Sequence, residues 1–499
     1  MSVRSHEAGG LAPGIVGSAR LTAFGTSFVA PAVSVISVLI VMMSYAGFAS
    51  PLVVLITFAG SLCCAMSIAE FARRVPSAGW CYTYNSRGLG RTAGFLTGWM
   101  MVFGYAMIVP GGVALTSAYA SILLADEGHV TIAPWVLFPV ILAAVVLLAY
   151  LGIRISSSAD LLLVAGEMAV IAALAITILI KIGPAHYSAA VFSPASAPSG
   201  EFSDFTNAMI YGITAFAGFE AAAALGEEAR NTRRSVPASI VGIVLVTGVF
   251  YLLVVLAEAW AVGRRGVVGL IGQPSPLGYL TSRYWSPSAL WVIDLVVVLA
   301  GLGFVITAVN AAIRILFAMG RERALPGALA RLSSRHTPVV AIGFLAVLTL
   351  AVGLPLTYAD GGRPAAGYLF AAGGLAVVLV YLAGNIAVIR AFRTEFRDHF
   401  RVVRHLLIPA AAAVIFLFSL WGIIHPNAYT LVNLLPFTAL GWLALGIIAV
   451  STLRARRPAS LQALGKVFLC RLPRWPATAS PSAWWPRCWM CPCSPCSVR

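Results

Sequence analysis

Twelve apolar runs, with arginine concentrated in every second connection between them, decide what this chain can fold into. They cover about 21–45, 51–72, 93–124, 132–152, 160–182, 206–226, 236–262, 289–318, 338–358, 366–390, 406–424 and 430–452, and are called helices 1 to 12 in order. Each is near or above the roughly 20 residues that cross a bilayer as a helix. Only 10% of the 499 residues are charged and 60% are hydrophobic. A soluble protein carries about a quarter charged residues, so that class is excluded. A backbone in lipid must satisfy its own hydrogen bonds, which leaves an all-α polytopic membrane protein of about 12 transmembrane helices as the expected fold class.

The net charge of +16 does not point to a nucleic-acid partner. The charges sit in short clusters between apolar runs, with no long basic face. They follow the rule that basic loops stay in the cytoplasm. The connections after helices 2, 4, 6, 8 and 10 carry 17 arginines, from Arg73 to Arg404. The opposite side carries five basic residues, Lys181, Arg264, Arg265, Arg283 and Arg363. Both termini are therefore expected in the cytoplasm, with the protein in the cytoplasmic membrane. No apolar stretch with a cleavage site opens the chain, so helix 1 is expected to act as an uncleaved insertion signal. Cys491, Cys493 and Cys496 crowd the tail, but their spacing fits no metal module and no histidine is near. No cofactor, metal or disulfide framework is expected.

Helices 1 and 6 contain what a membrane helix avoids. Helix 1 carries Gly25, Thr26, Ser27 and Pro31 in mid-run; helix 6 carries Gly212, Thr214, Gly218 and the acid Glu220. Glycine and proline are common in membrane helices, so neither run alone marks a site. The two stand five helices apart and run in opposite directions, which is the pattern of a five-plus-five inverted repeat with a binding site at the paired breaks. The expected order is an N-terminal tail 1–20, a first repeat 21–182, an external loop 183–205 and a second repeat 206–390. Helices 11 and 12 follow within 391–452, then a tail 453–499 read as disordered or non-native. A broken helix presents free N–H groups at one half and free C=O groups at the other. A zwitterion such as an α-amino acid satisfies both. The amides of Ser27, Phe28, Val29 and Ala30, beside Thr26, are expected to meet its carboxylate. The carbonyls of Ile213 to Phe216, including Thr214, are expected to meet its amine near Gly218. Phe216 and Phe219 are candidates to cover the pocket, with packing the simpler role for Phe219.

Four stretches carry a family resemblance: Phe216 to Glu220, Glu227 to Pro237, Arg74 to Tyr82, and Arg321 to Pro326. In this order they make the chain resemble the amino acid–polyamine–organocation (APC) superfamily of permeases. The resemblance implies a LeuT-like 5+5 inverted repeat plus two C-terminal helices, and solute transport by alternating access. Thr232 stands where the family usually has proline, and Arg323 where it usually has glycine. The glycine-rich break typical of helix 1 is diluted here.

Glu167 in helix 5 and Glu220 in helix 6 are the candidate coupling groups, because an acid at membrane depth must face the interior, pair or stay protonated. Phe216 is a candidate gate. Either acid could instead make a structural hydrogen bond, in Glu220's case to the backbone of helix 1. Glu258 and Asp294 read as vestibule or interface groups, and Glu70 and Arg314 as helix-end groups that snorkel. The expected function is proton-coupled transport of an amino acid or related amine. The alternatives are a polyamine or organocation permease, an exchanger, a sodium-coupled carrier, or a nutrient receptor on a transporter scaffold. An embedded enzyme is disfavoured because the seven histidines are scattered.

Overall fold

The computed structural model describes residues 18–75, 80–151, 157–198, 202–224, 232–335, 337–424 and 432–456. Glu227, Glu228, Arg230 and the tail cysteines Cys491, Cys493 and Cys496 lie outside them. Among the described residues, ten helices are long and apolar enough to cross a membrane. Helices 1 and 6 complete the expected twelve as interrupted segments. Helix 1 is Ser18–Val29, Pro31–Ile36 and Val38–Ala46; helix 6 is Phe202–Thr214 and Ala221–Ala224.

The order of packing follows the repeat. Helix 1 lies against helix 6, helix 2 against helix 7, helix 3 against helix 8, and helix 4 against helix 9. Each of the first four helices thus touches its counterpart five positions later. The first segment of helix 1 meets the last segment of helix 6, and the last of helix 1 meets the first of helix 6, as antiparallel partners must. Helices 3 and 10 (Arg91–Gly128 and Gly362–Thr394) are the most enclosed, each 67% buried over its most apolar stretch, against 22% for helix 12 (Leu435–Arg456). Buried apolar spans form the protein core, while exposed ones present leucine and valine to lipid. Helix 12 is held by two tryptophans. Trp99 donates to the Trp442 carbonyl at 2.8 Å, Trp442 donates to the Trp99 carbonyl at 2.9 Å, and the rings stack at 4.5 Å. Each indole N–H finds an acceptor inside the bundle.

The structure adds elements that run length does not reveal. A helix, Trp80–Leu89, occupies what reads as a basic loop, and another, Pro276–Tyr284, follows helix 7. Helix 7 itself turns at Gly263 (φ 66°, ψ 174°) and continues to Ile271. Two of the family-like stretches meet on the arginine-rich side, where the Tyr82 hydroxyl donates to the buried Glu322 carboxylate. Beside it, Arg323 sits at φ 58°, in the left-handed region. Glycine, usual there in the family, enters that region without a Cβ penalty. Arg323→Gly is therefore expected to stabilise the protein by about 1 kcal/mol, seen as a higher thermal midpoint of the purified chain. Thr232 begins helix 7, a first-turn position where proline would also fit.

Candidate functional site

Helix 1 breaks because Pro31 has no N–H to continue the helical ladder and disfavours helical backbone at the residue before it. Ala30 accordingly adopts φ 48°, ψ 69°. Its own N–H stays in the preceding turn, 3.0 Å from the Thr26 carbonyl and 3.1 Å from that of Ser27. The next turn starts with Ser34 donating to the Ala30 carbonyl at 3.0 Å. The amides of Ser27 to Ala30 are thus used within the first segment, which corrects their expected role as free donors. Among the described residues, the amides without a backbone acceptor come later, at Ala32 and Val33, in the first turn of the segment beginning at Pro31. Proline ends one segment and starts the next, so the donors fall after it.

Helix 6 loses its ladder from Ala215 to Glu220. Ile213 and Thr214 carbonyls close tight turns onto Phe216 and Ala217 at 3.0 and 2.9 Å. The Ala215 carbonyl accepts from the Tyr251 hydroxyl at 2.7 Å. Ser34 ties the two breaks together: its hydroxyl lies 3.3 Å from the carbonyls of both Val29 and Ala215 and can donate to one at a time. Gly218 has φ 109°, and a Cβ there would stand 2.3 Å from the Phe28 ring. Its N–H donates to Glu220 Oε2 at 3.0 Å, and the Tyr381 hydroxyl donates to the same oxygen. Glu220 therefore caps the break of its own helix, rather than the backbone of helix 1.

A cavity of about 40 Å³ lies between the breaks. Phe28, Val29 and Ser34 of helix 1 and Thr214, Gly218 and Glu220 of helix 6 line it. Helices 3, 8 and 10 close the far side with mainly apolar groups, among them Met101, Ile108, Phe304, Phe370 and Val377. Tyr105 joins them, its ring edge-on to Phe28 with centroids 6.1 Å apart. At about 10–15 Å³ for each water held, this space takes only a few waters, so a larger solute needs the walls to move.

Five of the residues singled out in the sequence meet at this cavity: Phe28, Val29, Thr214, Gly218 and Glu220. Thr26, Ser27, Ala30, Ile213 and Phe216 are buried nearby but are not part of its wall. Thr26 turns its hydroxyl onto the Thr22 carbonyl at 2.8 Å. Phe216 stacks on Phe58 at 5.9 Å and meets Tyr251 edge-on at 5.1 Å. Phe219 packs on Tyr381 with centroids 5.1 Å apart. The aromatic cover comes instead from Phe28, Tyr105, Phe304 and Phe370. Glu167 is buried in helix 5 (Ser157–Ile182), away from this wall. Glu258 and Asp294, read above as vestibule or interface groups, are both 1% exposed. Asp294 accepts from the Ser275 hydroxyl at 3.1 Å, whereas both Glu258 carboxyl oxygens are buried without a hydrogen bond among the described residues. Ser34, Tyr105 and Tyr381 are missed by sequence reasoning. Each is a lone polar side chain in an apolar run, and only the direction of its helix face distinguishes it.

Comparison with known proteins bears on the family and the fold. The amino acid permease family profile matches residues 27–449. A branched-chain amino acid permease of Bacillus subtilis is 26% identical over 401 residues, covering 77% of this chain and 81% of that protein. Its counterpart in Lactococcus lactis is 25% identical, covering 72% and 78%. Human cationic amino acid transporter 4 is 32% identical, over 39% of this chain and 32% of that one. Among solved structures, a manganese transporter mutant of Eremococcus coleocola superposes with a TM-score of 0.57 at 15% identity, covering 93% of this chain and all of the other. That likeness carries the fold, a LeuT-like bundle. A profile matched across nearly the whole set of spans carries more: this multi-pass membrane protein belongs to the amino acid permease family, within the APC superfamily.

Proposed function

We propose that this chain is a secondary transporter of apolar α-amino acids of branched-chain size, working by alternating access and driven by protons. The observation that carries the reading is the cavity itself. Two helix breaks meet at one end of it, and the opposite wall of Ile108, Phe304, Phe370 and Val377 is apolar. The free amides of Ala32 and Val33 with the Ser34 hydroxyl suit a carboxylate. The carbonyls of the helix 6 break, from Thr214 to Gly218, suit an ammonium through their second lone pairs. An aliphatic side chain then faces the apolar wall. The branched-chain permeases of B. subtilis and L. lactis support this choice of substrate.

A cationic side chain fits less well. Glu220 is the one acid in the wall, and its Oε2 already accepts from Gly218 and Tyr381. The cavity's size supports alternating access, since a closed site must open to one side at a time. The excess of loop arginine supports an orientation with the arginine-rich side in the cytoplasm, in the cytoplasmic membrane.

Uptake of labelled L-leucine into proteoliposomes under an inward proton gradient tests the proposal. Isoleucine and valine are expected to compete at similar concentrations, with arginine, putrescine and serine competing at least about tenfold less well, as the loss of one apolar contact set implies. Competition led by arginine or putrescine would transfer the site to the cationic reading. Saturable binding without flux would identify a receptor.

A further inference from the structure

A second opening, wider than the central cavity, stands apart from it. It lies on the arginine-rich side, has a volume of about 700 Å³, and is built by three separate parts of the chain. The end of helix 2 (Ser50–Arg74) supplies Glu70, Arg73 and Arg74, and the start of helix 7 supplies Arg233 and Arg234. The connection from helix 10 to helix 11 supplies Asp398, Arg401, Arg404 and His405. Six guanidinium groups thus face two carboxylates across one hollow.

Among the described residues, these acids do not neutralise it. Glu70 is shared between Arg73 at 3.7 Å, Arg404 at 3.9 Å and His405 at 3.6 Å. Arg74, Arg233, Arg234 and Arg401 form no ion pair among the described residues. The back wall is fixed. His405 is buried, stacks on Phe392 at 3.8 Å, and accepts the Arg401 N–H on Nδ1 at 2.8 Å. Its proton therefore sits on Nε2, which points at Glu70. Like charges gathered in a concave site raise the local potential and hold multivalent anions, and guanidinium forks suit the oxygens of phosphate.

The position of the hollow narrows the ligand. It lies where three membrane spans end, at Arg74, Arg233 and Val403. Val402, Val403 and Leu407, next along the chain to the lining residues Arg401, Arg404 and His405, are 54%, 60% and 54% exposed. Their apolar side chains belong against acyl chains, at the boundary where phospholipid headgroups lie. We infer that this cavity binds a phosphate-bearing anion, seated across helix 2, helix 7 and the helix 10–11 connection. The inference concerns a different part of the molecule from the substrate site and does not depend on which solute is carried.

Full-length protein in phosphatidylcholine nanodiscs, with phosphatidylglycerol titrated in, provides the test. Thermal midpoint and bound lipid by native mass spectrometry are the readouts. Phosphatidylglycerol is expected to raise the midpoint. Arg233→Gln with Arg401→Gln is expected to weaken that response at least about tenfold, the loss of two charge-assisted hydrogen bonds. Arg331→Gln with Arg335→Gln, the same charge change elsewhere on that side, is expected to leave it unchanged. A second arm holds the lipid as phosphatidylcholine and adds inorganic phosphate. A midpoint rise there, lost in the Arg233/Arg401 variant, assigns the site to a soluble phosphate and retains the chemistry. Where the double variant does not fold, Arg401→Gln alone carries the comparison. No response to either anion, or equal loss in the Arg331/Arg335 control, overturns the inference in favour of a hollow filled from within the chain or of diffuse surface charge.

Discussion

Uptake by a Gly218→Ala variant is expected to fall by about two orders of magnitude or more, from local strain of about 3 kcal/mol. Two independent causes act at this position. The backbone stands at φ 109°, which an L-residue with a Cβ rarely adopts. The added carbon would lie 2.3 Å from the Phe28 ring and 3.1 Å from the Phe28 carbonyl. The ring cannot yield without moving a wall of the cavity, because it already meets Tyr105 edge-on. The N–H of Gly218 also shares the Glu220 carboxylate with Tyr381. A shift there disturbs the cap of the helix 6 break. Proteoliposome uptake measures the loss, and the thermal midpoint separates it from unfolding. Adding Phe28→Ala removes the clash but leaves the backbone strain, so uptake should stay low in the double variant. Wild-type uptake in Gly218→Ala would mean that the break is not held in this conformation during transport.

Glu220 is the second position with a large expected effect, and two substitutions should separate its roles. Glu220→Ala takes the shared carboxylate acceptor from the buried Gly218 N–H and Tyr381 hydroxyl. The Gly218 N–H keeps the Tyr381 hydroxyl as a weak acceptor at 3.4 Å, so the variant should be less stable by about 1–3 kcal/mol and should not transport. Glu220→Gln keeps a carbonyl oxygen for both donors but cannot take up or release a proton. It should fold with a near-normal thermal midpoint, while the pH dependence of leucine uptake disappears. Glu167→Gln is expected to do the same if the proton passes helix 5. Glu258→Gln is the natural comparison, since that acid is buried with neither oxygen hydrogen-bonded among the described residues. Unchanged pH-dependent uptake in both Glu167→Gln and Glu220→Gln would sink proton coupling through these acids. A strict sodium requirement in the same vesicles would replace it with sodium coupling.

The spans were legible because membrane insertion is decided by a one-dimensional property. A run of about 20 apolar residues must become a helix wherever it lies in the fold, since lipid offers its backbone no partner. The breaks were legible for a related reason. Pro31 cannot donate a hydrogen bond, and Gly218 alone in its stretch tolerates φ 109°. Such signals belong to single residues. The helices Trp80–Leu89 and Pro276–Tyr284 escaped because an amphipathic segment at the interface has no long apolar run.

What lines the cavity was half legible. Phe28, Val29, Thr214, Gly218 and Glu220 could be named because they lie at the breaks. Ile108, Phe304, Phe370 and Val377 could not, because they are ordinary apolar residues in ordinary spans. Phe216 and Phe28 show the same limit from the other side. Both are aromatic and next to a break, yet Phe216 packs outward on Phe58 while Phe28 faces the cavity.

The sequence alone determined that this chain is a bundle of membrane helices, and that helices 1 and 6 are interrupted as partners in an inverted repeat. Tertiary structure decided which faces of helices 3, 8 and 10 close the site, that Glu220 caps its own helix with help from Tyr381, and that six distant arginines share one hollow. The physical reason is the same in each case. Hydropathy and backbone freedom are properties of a residue and its neighbours in the chain. The direction of a side chain, and the company it keeps across 160 or 330 positions, is set by how the helices rotate as they pack.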